Sequence, residues 1–462
     1  MATQRTLSPV DGSVHVEREL ATGRAIDETL DRARRAQREW RSVPVESRAA
    51  VLTRFCEAFE QRRDEVATEL AWQMGRPVRY GPNEVRGTLE RARHMIAIAP
   101  AALADIDVGP REGFHRFLRR EPLGVVFTVA AWNYPYLIAV NSVVPALMAG
   151  NVVVLKHSAQ TPLCAETFDA CFRAAGLPEG CFQVLHLSHD DTNRVVADPR
   201  VDFVAFTGSV AGGHAIQRAA SARFIGTGLE LGGCDPAYVR HDADLAFSVE
   251  NLVDGAYFNS GQSCCGIQRV YVHEARYDAF VEGWLDLTRK YLLGNPLEAE
   301  TTLGPVVRTA AAEEIRRQVA ASVAMGARSP IAEREFEASR AGTPYVAPQV
   351  LLEVDHSMPI MRDEVFGPVA GIMRVRSDEQ AVALMNDSAY GLTASVWTGD
   401  EEAALAIGDQ VQTGTWFMNR CDYLDPALAW VGVKDSGRGC TLSSIGYEHL
   451  TRPKSFHLRV RT

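Results

Sequence analysis

Residues 124–156 read "GVVFTVAAWNYPYLIAVNSVVPALMAGNVVVLK". Two β-branched runs, 125–129 and 152–155, are apolar at every position or nearly so, the pattern of strands covered on both faces. The fifteen residues from Tyr136 to Gly150 between them read as a helix. No charge occurs between Glu121 and Lys156, a length that imitates a membrane span. Asn133, Asn141, Asn151 and the interrupting prolines and glycines would leave polar groups unsatisfied in lipid, so a buried strand–helix–strand unit is the better reading. The same alternation continues through the helical "TPLCAETFDACFRAAG" (161–176) and "DDTNRVVAD" (190–198) and the strands "CFQVLHL" (181–187) and "VDFVAFTG" (201–208). Such repetition specifies an α/β fold with a parallel sheet between helical layers. Ligands of these sheets bind beyond the carboxyl ends of the strands, where Asn133, Lys156 and Thr207-Gly208-Ser209 fall.

Outward from this unit, the first hundred residues read as helices. Leu52, Phe55 and Phe59 share one face behind an N-cap at Ser47, and Gly75 and Pro77 act as stop signals. Around 104–121, turn chemistry at Gly109-Pro110 and Gly113 predicts a hairpin arm. A second αβ region runs from about 235 to 435, and "KSFHLRV" (454–460) is a final strand whose edge needs a partner. At 462 residues, two or three domains are expected. A net charge of −10 argues against nucleic-acid or anionic-membrane partners, which need a basic face. Nine cysteines without CxxC spacing suit a reducing cytoplasm and no metal site. The opening "MATQRTLSPVDGSV" has no signal-peptide pattern.

Several short segments bear residue types that do chemistry. "NSGQSCCGIQR" (259–269) places Cys264 and Cys265 in a polar, glycine-bearing setting; adjacent cysteines are poor disulfide partners, so a reactive thiol and inert packing both remain open. "FTGSVAGG" offers Gly208 and Ser209 at a helix start, suited to a pyrophosphate or to tight packing. "LELGG" sets Glu230 in an apolar strand end, "WNYP" sets Asn133 between aromatic residues, and "DEVFGPV" carries Glu364 and Phe366 before a turn. Each alone has an ordinary structural explanation.

In order, "WNYP", "NVVVLKHS", "FTGS", "LELGG", "GQSC", "EVFGPV" and "GVKDSGRG" resemble the aldehyde dehydrogenase superfamily along essentially the whole chain, with Glu230 thirty-four residues before Cys264, as in that family. The resemblance implies Cys264 as nucleophile, Asn133 with the Cys264 backbone N–H as oxyanion donors, and Glu230 as the base that hydrolyses a thioester. It implies an NAD or NADP coenzyme held by Trp132, Lys156, Gly208, Ser209, Glu364 and Phe366. Where the family often has Glu three residues after the lysine, this chain has Ala159, which leaves room for NADP beside Lys156. Candidate walls for the small-molecule aldehyde are Ile138, Asn141, Ser263, Cys265, Tyr423 and Leu424. Arg420 either contacts an acidic substrate such as a semialdehyde or pairs with Asp422. The "GVKDSGRG" glycines are expected to shape a turn near the site.

The implied architecture has a Rossmann-type coenzyme domain (1–104 and 122–234), an αβ catalytic domain (235–436) and a small oligomerisation arm with the C-terminal strand (105–121 and 437–462), in a homodimer or homotetramer. The alternatives are a coenzyme A-acylating dehydrogenase, disfavoured by Glu230, and a non-catalytic structural relative.

Overall fold

The computed structural model describes residues 2–461. The charge-free segment forms the strand Val125–Val129, the helix Pro135–Met148 and the strand Val152–Lys156. With Phe182–Val184, Phe203–Thr207 and Gly226–Glu230 they make five parallel strands in the spatial order 3-2-1-4-5. That order reverses between Val125–Val129 and Phe203–Thr207, the place where a doubly wound sheet opens a crevice for a ligand. Val129 lies opposite Lys156 on one side and Phe206 on the other, so the three central strands end level with one another. No helix among the described residues is long and apolar enough to cross a membrane.

Helices Gly23–Trp40, Val45–Glu60, Arg63–Met74 and Gly81–Ala102 precede the sheet. Leu52, Phe55 and Phe59 are fully buried, and Phe55 stacks on Phe172 at 4.0 Å. Gly75, at φ 82°, ends the third helix in the left-handed conformation that glycine adopts without strain. Two expectations for this region need correction. The second helix starts at Val45 behind Pro44, with Ser47 inside its first turn, because proline's preset φ suits a helix entrance. The chain also opens with an antiparallel hairpin, Thr3–Leu7 with Val14–Glu19, rather than with helix. Its strands are too short to stand out against the helical stretch that follows.

A second sheet holds six parallel strands in the order Gln349–Leu352, Val369–Val375, Ile267–His273, Asp235–Val239, Thr393–Trp397 and Thr415–Met418. A third, antiparallel sheet joins Ile106–Asp107, Phe114–Pro122 and Thr451–Arg459. The final strand therefore has a partner in its own chain along one edge, and Phe117 stacks on Phe456 at 4.5 Å across that pairing. Gly437–Arg438, expected in the arm, instead pairs antiparallel with Glu230 and Leu229 as a sixth strand of the first sheet. A side chain on Gly437 would meet the Leu229 carbonyl at 1.9 Å, so this short strand fits only because the residue is glycine.

Candidate active site

The loop before Cys264 is built from unusual backbone. Asn259, Ser260 and Gly261 have φ of 55°, 57° and 68°, three consecutive left-handed residues of which two carry a Cβ. Each such non-glycine residue costs about 1–3 kcal/mol and persists only where its surroundings over-determine it. The polar residues of "NSGQ" provide that constraint. Asn259 accepts from Arg76 Nε at 3.1 Å and donates to the Asn133 carbonyl at 3.0 Å; Ser260 donates to the Gly304 carbonyl at 2.8 Å; Gln262 accepts from Val307 N–H at 2.7 Å. The odd composition around the two cysteines is thus the scaffold that aims them.

Arg76 is buried, and each of its three nitrogens has a partner. It pairs with the buried Glu84 and also donates to the Asn133 carbonyl at 2.6 Å. Glu84 in turn accepts from the Tyr136 and Leu137 N–H groups at 3.0 and 3.1 Å, the free donors at the start of helix Pro135–Met148. The "WNYP" turn is clamped from both sides. Asn133 is buried, and its side-chain nitrogen donates to the Gln262 carbonyl at 3.1 Å, against the loop that carries Cys264. An amide nitrogen has two hydrogens, and this bond uses one. Asn133 does not itself line the cavity described next.

A cavity of about 600 Å³ brings Cys264 and Glu230 onto one surface, together with all six candidate walls, Ile138, Asn141, Ser263, Cys265, Tyr423 and Leu424. Of the cavity's three thiols, Cys265 and Cys421 are held neutral. Its contact with Cys264, then burial, pushes Cys265 well up, and burial pushes Cys421 up. Cys265 donates to Asp422 at 3.0 Å, as Ser263 does at 2.9 Å, and burial lifts Asp422 to about 6. Cys264 is half-buried. Glu230, at the end of strand Gly226–Glu230, accepts from Thr441 Oγ1 at 2.6 Å. Burial raises its pKa, partly offset by that bond and by the Arg91 charge. Raising a carboxylate toward neutrality makes it a stronger base at working pH. Arg420 forms no ion pair with Asp422 among the described residues. It is exposed and lies over the Tyr423 ring at 3.5 Å, while Tyr423 donates to Glu90 at 3.1 Å.

The other predicted residues gather at the strand ends. Trp132 meets Phe366 edge-on at 5.6 Å, with Phe366 at φ 53°. Ser209 caps helix Val210–Ala220, accepting from Gly212 N–H, and Gly208 N–H donates to the Glu230 carbonyl at 3.0 Å. Glu364 accepts from Gly233 N–H at 3.0 Å, and burial lifts it to about 7. Gly233 also lets the two motifs meet, since a Cβ there would lie 2.1 Å from the Cys264 carbonyl oxygen. Lys156 is half-buried, has no carboxylate or hydrogen-bond partner at Nζ among the described residues, and burial pulls its pKa down. A desolvated cation without a counter-ion, at the carboxyl edge of the sheet one strand from its switch point, fits a dinucleotide phosphate or ribose.

The sequence reading missed the clamp Arg76–Glu84, the bond from Thr441, and Arg91, whose guanidinium also lines the cavity. In "EVRGTLERARHMI" nothing distinguishes Arg91 from its neighbouring arginines until the helix is packed.

Residues 2–456 match the aldehyde dehydrogenase family. The aldehyde dehydrogenase of Paenarthrobacter nicotinovorans is 34% identical, over 97% of this chain and 98% of its own. The succinate semialdehyde dehydrogenase [NAD(P)+] Sad of Escherichia coli K12 is 33% identical over 91% of this chain and 90% of its own. The crystal structure of an NAD-dependent aldehyde dehydrogenase from Sinorhizobium meliloti superposes with a TM-score of 0.95 at 31% identity, covering 99% of this chain and 92% of that one. The chain belongs to the aldehyde dehydrogenase family. It is an NAD(P)-dependent oxidoreductase that oxidises an aldehyde to the acid.

Proposed function

We propose that Cys264, Glu230 and Asn133 carry the reaction, and that the substrate is a semialdehyde. The carrying observation is that Cys264 and Glu230 line one and the same cavity of about 600 Å³. The Cys264 thiolate adds to the aldehyde carbon, and the carbonyl oxygen becomes an oxyanion. The second Asn133 amide hydrogen and the Cys264 N–H stabilise that oxygen, each such donor contributing about 2.7–4 kcal/mol. The nicotinamide coenzyme, when bound, supplies the hydride acceptor that leaves a thioester on Cys264. Glu230 then takes a proton from water as the water attacks the thioester, and Cys264 departs as the thiolate. Thr441, bonded to one carboxylate oxygen, leaves the other for the water.

Trp132, Lys156, Gly208, Ser209, Glu364 and Phe366 would hold the coenzyme, Lys156 toward its adenosine end and Glu364 toward the nicotinamide ribose. No carboxylate stands at Ala159, whose carbonyl is taken by Thr6 Oγ1 at 2.7 Å. The lone Lys156 therefore supports acceptance of NADP as well as NAD. The names of relatives, succinate semialdehyde dehydrogenases among them, support the semialdehyde. Residues 1–104 and 122–234 read as the coenzyme unit, 235–436 as the catalytic unit, and the antiparallel sheet as an oligomerisation arm. Its outer strand Thr451–Arg459 has one free edge for a second subunit, which supports a homodimer or homotetramer. Nine unpaired cysteines support a cytoplasmic setting.

The test supplies aldehydes with each coenzyme, with and without coenzyme A. NAD(P)H and free acid should form, and Cys264→Ala should abolish both. Acyl-CoA as the main product, or an active Cys264→Ala variant, overturns the reading.

A further inference from the structure

Four guanidinium groups border the substrate cavity, and they differ in what they already hold. Arg76 is held at all three nitrogens, by Asn259, by a buried ion pair with Glu84 and by the Asn133 carbonyl. Arg86 and Arg420 are exposed, at the mouth. Arg91 alone is a half-buried arginine with bonding capacity to spare. Its Nη1 donates to the Leu137 carbonyl at 3.0 Å and to Asn141 Oδ1 at 3.3 Å, and no carboxylate pairs with it among the described residues. A guanidinium has five N–H donors, so the group is anchored at one corner and open along the rest of its fork. Desolvation lowers its pKa, and the attractions that oppose this come from Glu84, Glu230 and the two cysteines, which places its charge within reach of the reacting centre.

The helix Gly81–Ala102 explains how it gets there. Glu84, Gly87 and Arg91 follow one face at i, i+3 and i+7, turned toward Leu137, Ile138 and Asn141 of helix Pro135–Met148. A Cβ at Gly87 would lie 2.9 Å from Leu137 Cδ2, so the glycine allows the two helices to close around the cavity and sets Arg91 at their seam.

We propose that Arg91 reads a carboxylate at the far end of the aldehyde, so that the preferred substrates are ω-oxo carboxylic acids. This rests on the aldehyde-oxidising reading above and assigns its specificity to one side chain. Half-burying a guanidinium without a counter-ion is costly, and a planar carboxylate that accepts side-on from the open fork offsets that cost. A single negative charge suits the place better than a phosphate dianion, because the same cavity is bordered by Glu90, Glu230, Asp254 and Asp422 and by one free interior cation.

The test uses the full-length enzyme and compares a four-carbon ω-oxo acid with butanal and with a short phosphorylated aldehyde. The wild type should favour the oxo acid, and Arg91→Met should cut the oxo acid-to-butanal ratio of kcat/KM by about 10–100-fold, mainly through KM, the worth of a charged hydrogen-bonded contact. Taking the ratio cancels any effect of the substitution on Glu230 or on folding. Arg91→Lys should restore part of it. A saturated dicarboxylate should compete against butanal in the wild type and much less in Arg91→Met. An unchanged ratio, a phosphorylated aldehyde as the best substrate, or no preference for the oxo acid overturns the proposal while leaving aldehyde oxidation standing. An enzyme that turns over none of the three overturns both.

Discussion

The two sides of this site are made in different ways. The side proposed for the coenzyme is the level carboxyl edge of three neighbouring strands, with Lys156 the last residue of its strand and Trp132 and Gly208-Ser209 one to three residues past theirs. The substrate side is a seam of two helix faces and two loops, where Arg91, Asn141, Cys264 and Tyr423 meet from four separate stretches of chain. The first arrangement follows from sheet topology, and changes there should alter affinity. The second follows from side-chain packing, and changes there should alter turnover or selectivity.

The sharpest separation comes from Glu230→Gln. It should leave the coenzyme side intact and stop the cycle after acylation, so that a single-turnover burst of NAD(P)H survives while steady-state kcat falls by about 10²–10⁴. In the wild type, kcat should rise with pH through a midpoint above the ordinary carboxylate range, because burial raises Glu230 and only its ionised form is a base. Glu230→Gln should lose that limb. A flat wild-type profile between pH 5 and 8, or a lost burst, breaks the assignment.

Asn133→Ala should reduce kcat/KM by about 10²–10³, the worth of one oxyanion donor, with little change in coenzyme affinity measured by fluorescence titration. An equal loss in coenzyme binding would mean that the "WNYP" turn had been released from its Arg76–Glu84 clamp.

On the coenzyme side the effects should be smaller. Ala159→Glu places a carboxylate near Lys156 and should raise the KM for NADP by about tenfold relative to NAD, roughly 1.4 kcal/mol. Smallest of all, Glu364 sits near 7, so coenzyme KM should fall by about threefold from pH 6 to 8 as it ionises. Glu364→Gln should remove the slope, and a slope that persists points to another group.

Much of the molecule was legible in the linear chain. The alternation of apolar strands and helices predicts the first sheet, since strands covered on both faces must be apolar at every position. The pair Cys264–Glu230 and the strand-end residues were singled out only through the ordered set of motifs that resembles the family, because each segment alone has an ordinary structural explanation. The opening hairpin and the place of Gly437–Arg438 were not, being two to six residues long and decided by which edge is free to pair. Arg76 and Arg91 show the limit most plainly. Both are arginines beside one helix, "RPVRYGPNEVRGTLERAR", and their side chains look alike in the chain. Packing gave one a buried carboxylate, Glu84, and gave the other an open cavity. Local residue pattern determines where strands end and which atoms can react, because those properties reside in a few consecutive residues. Which charges are left without a partner is a property of surfaces brought together from distant segments, and only the folded arrangement decides it.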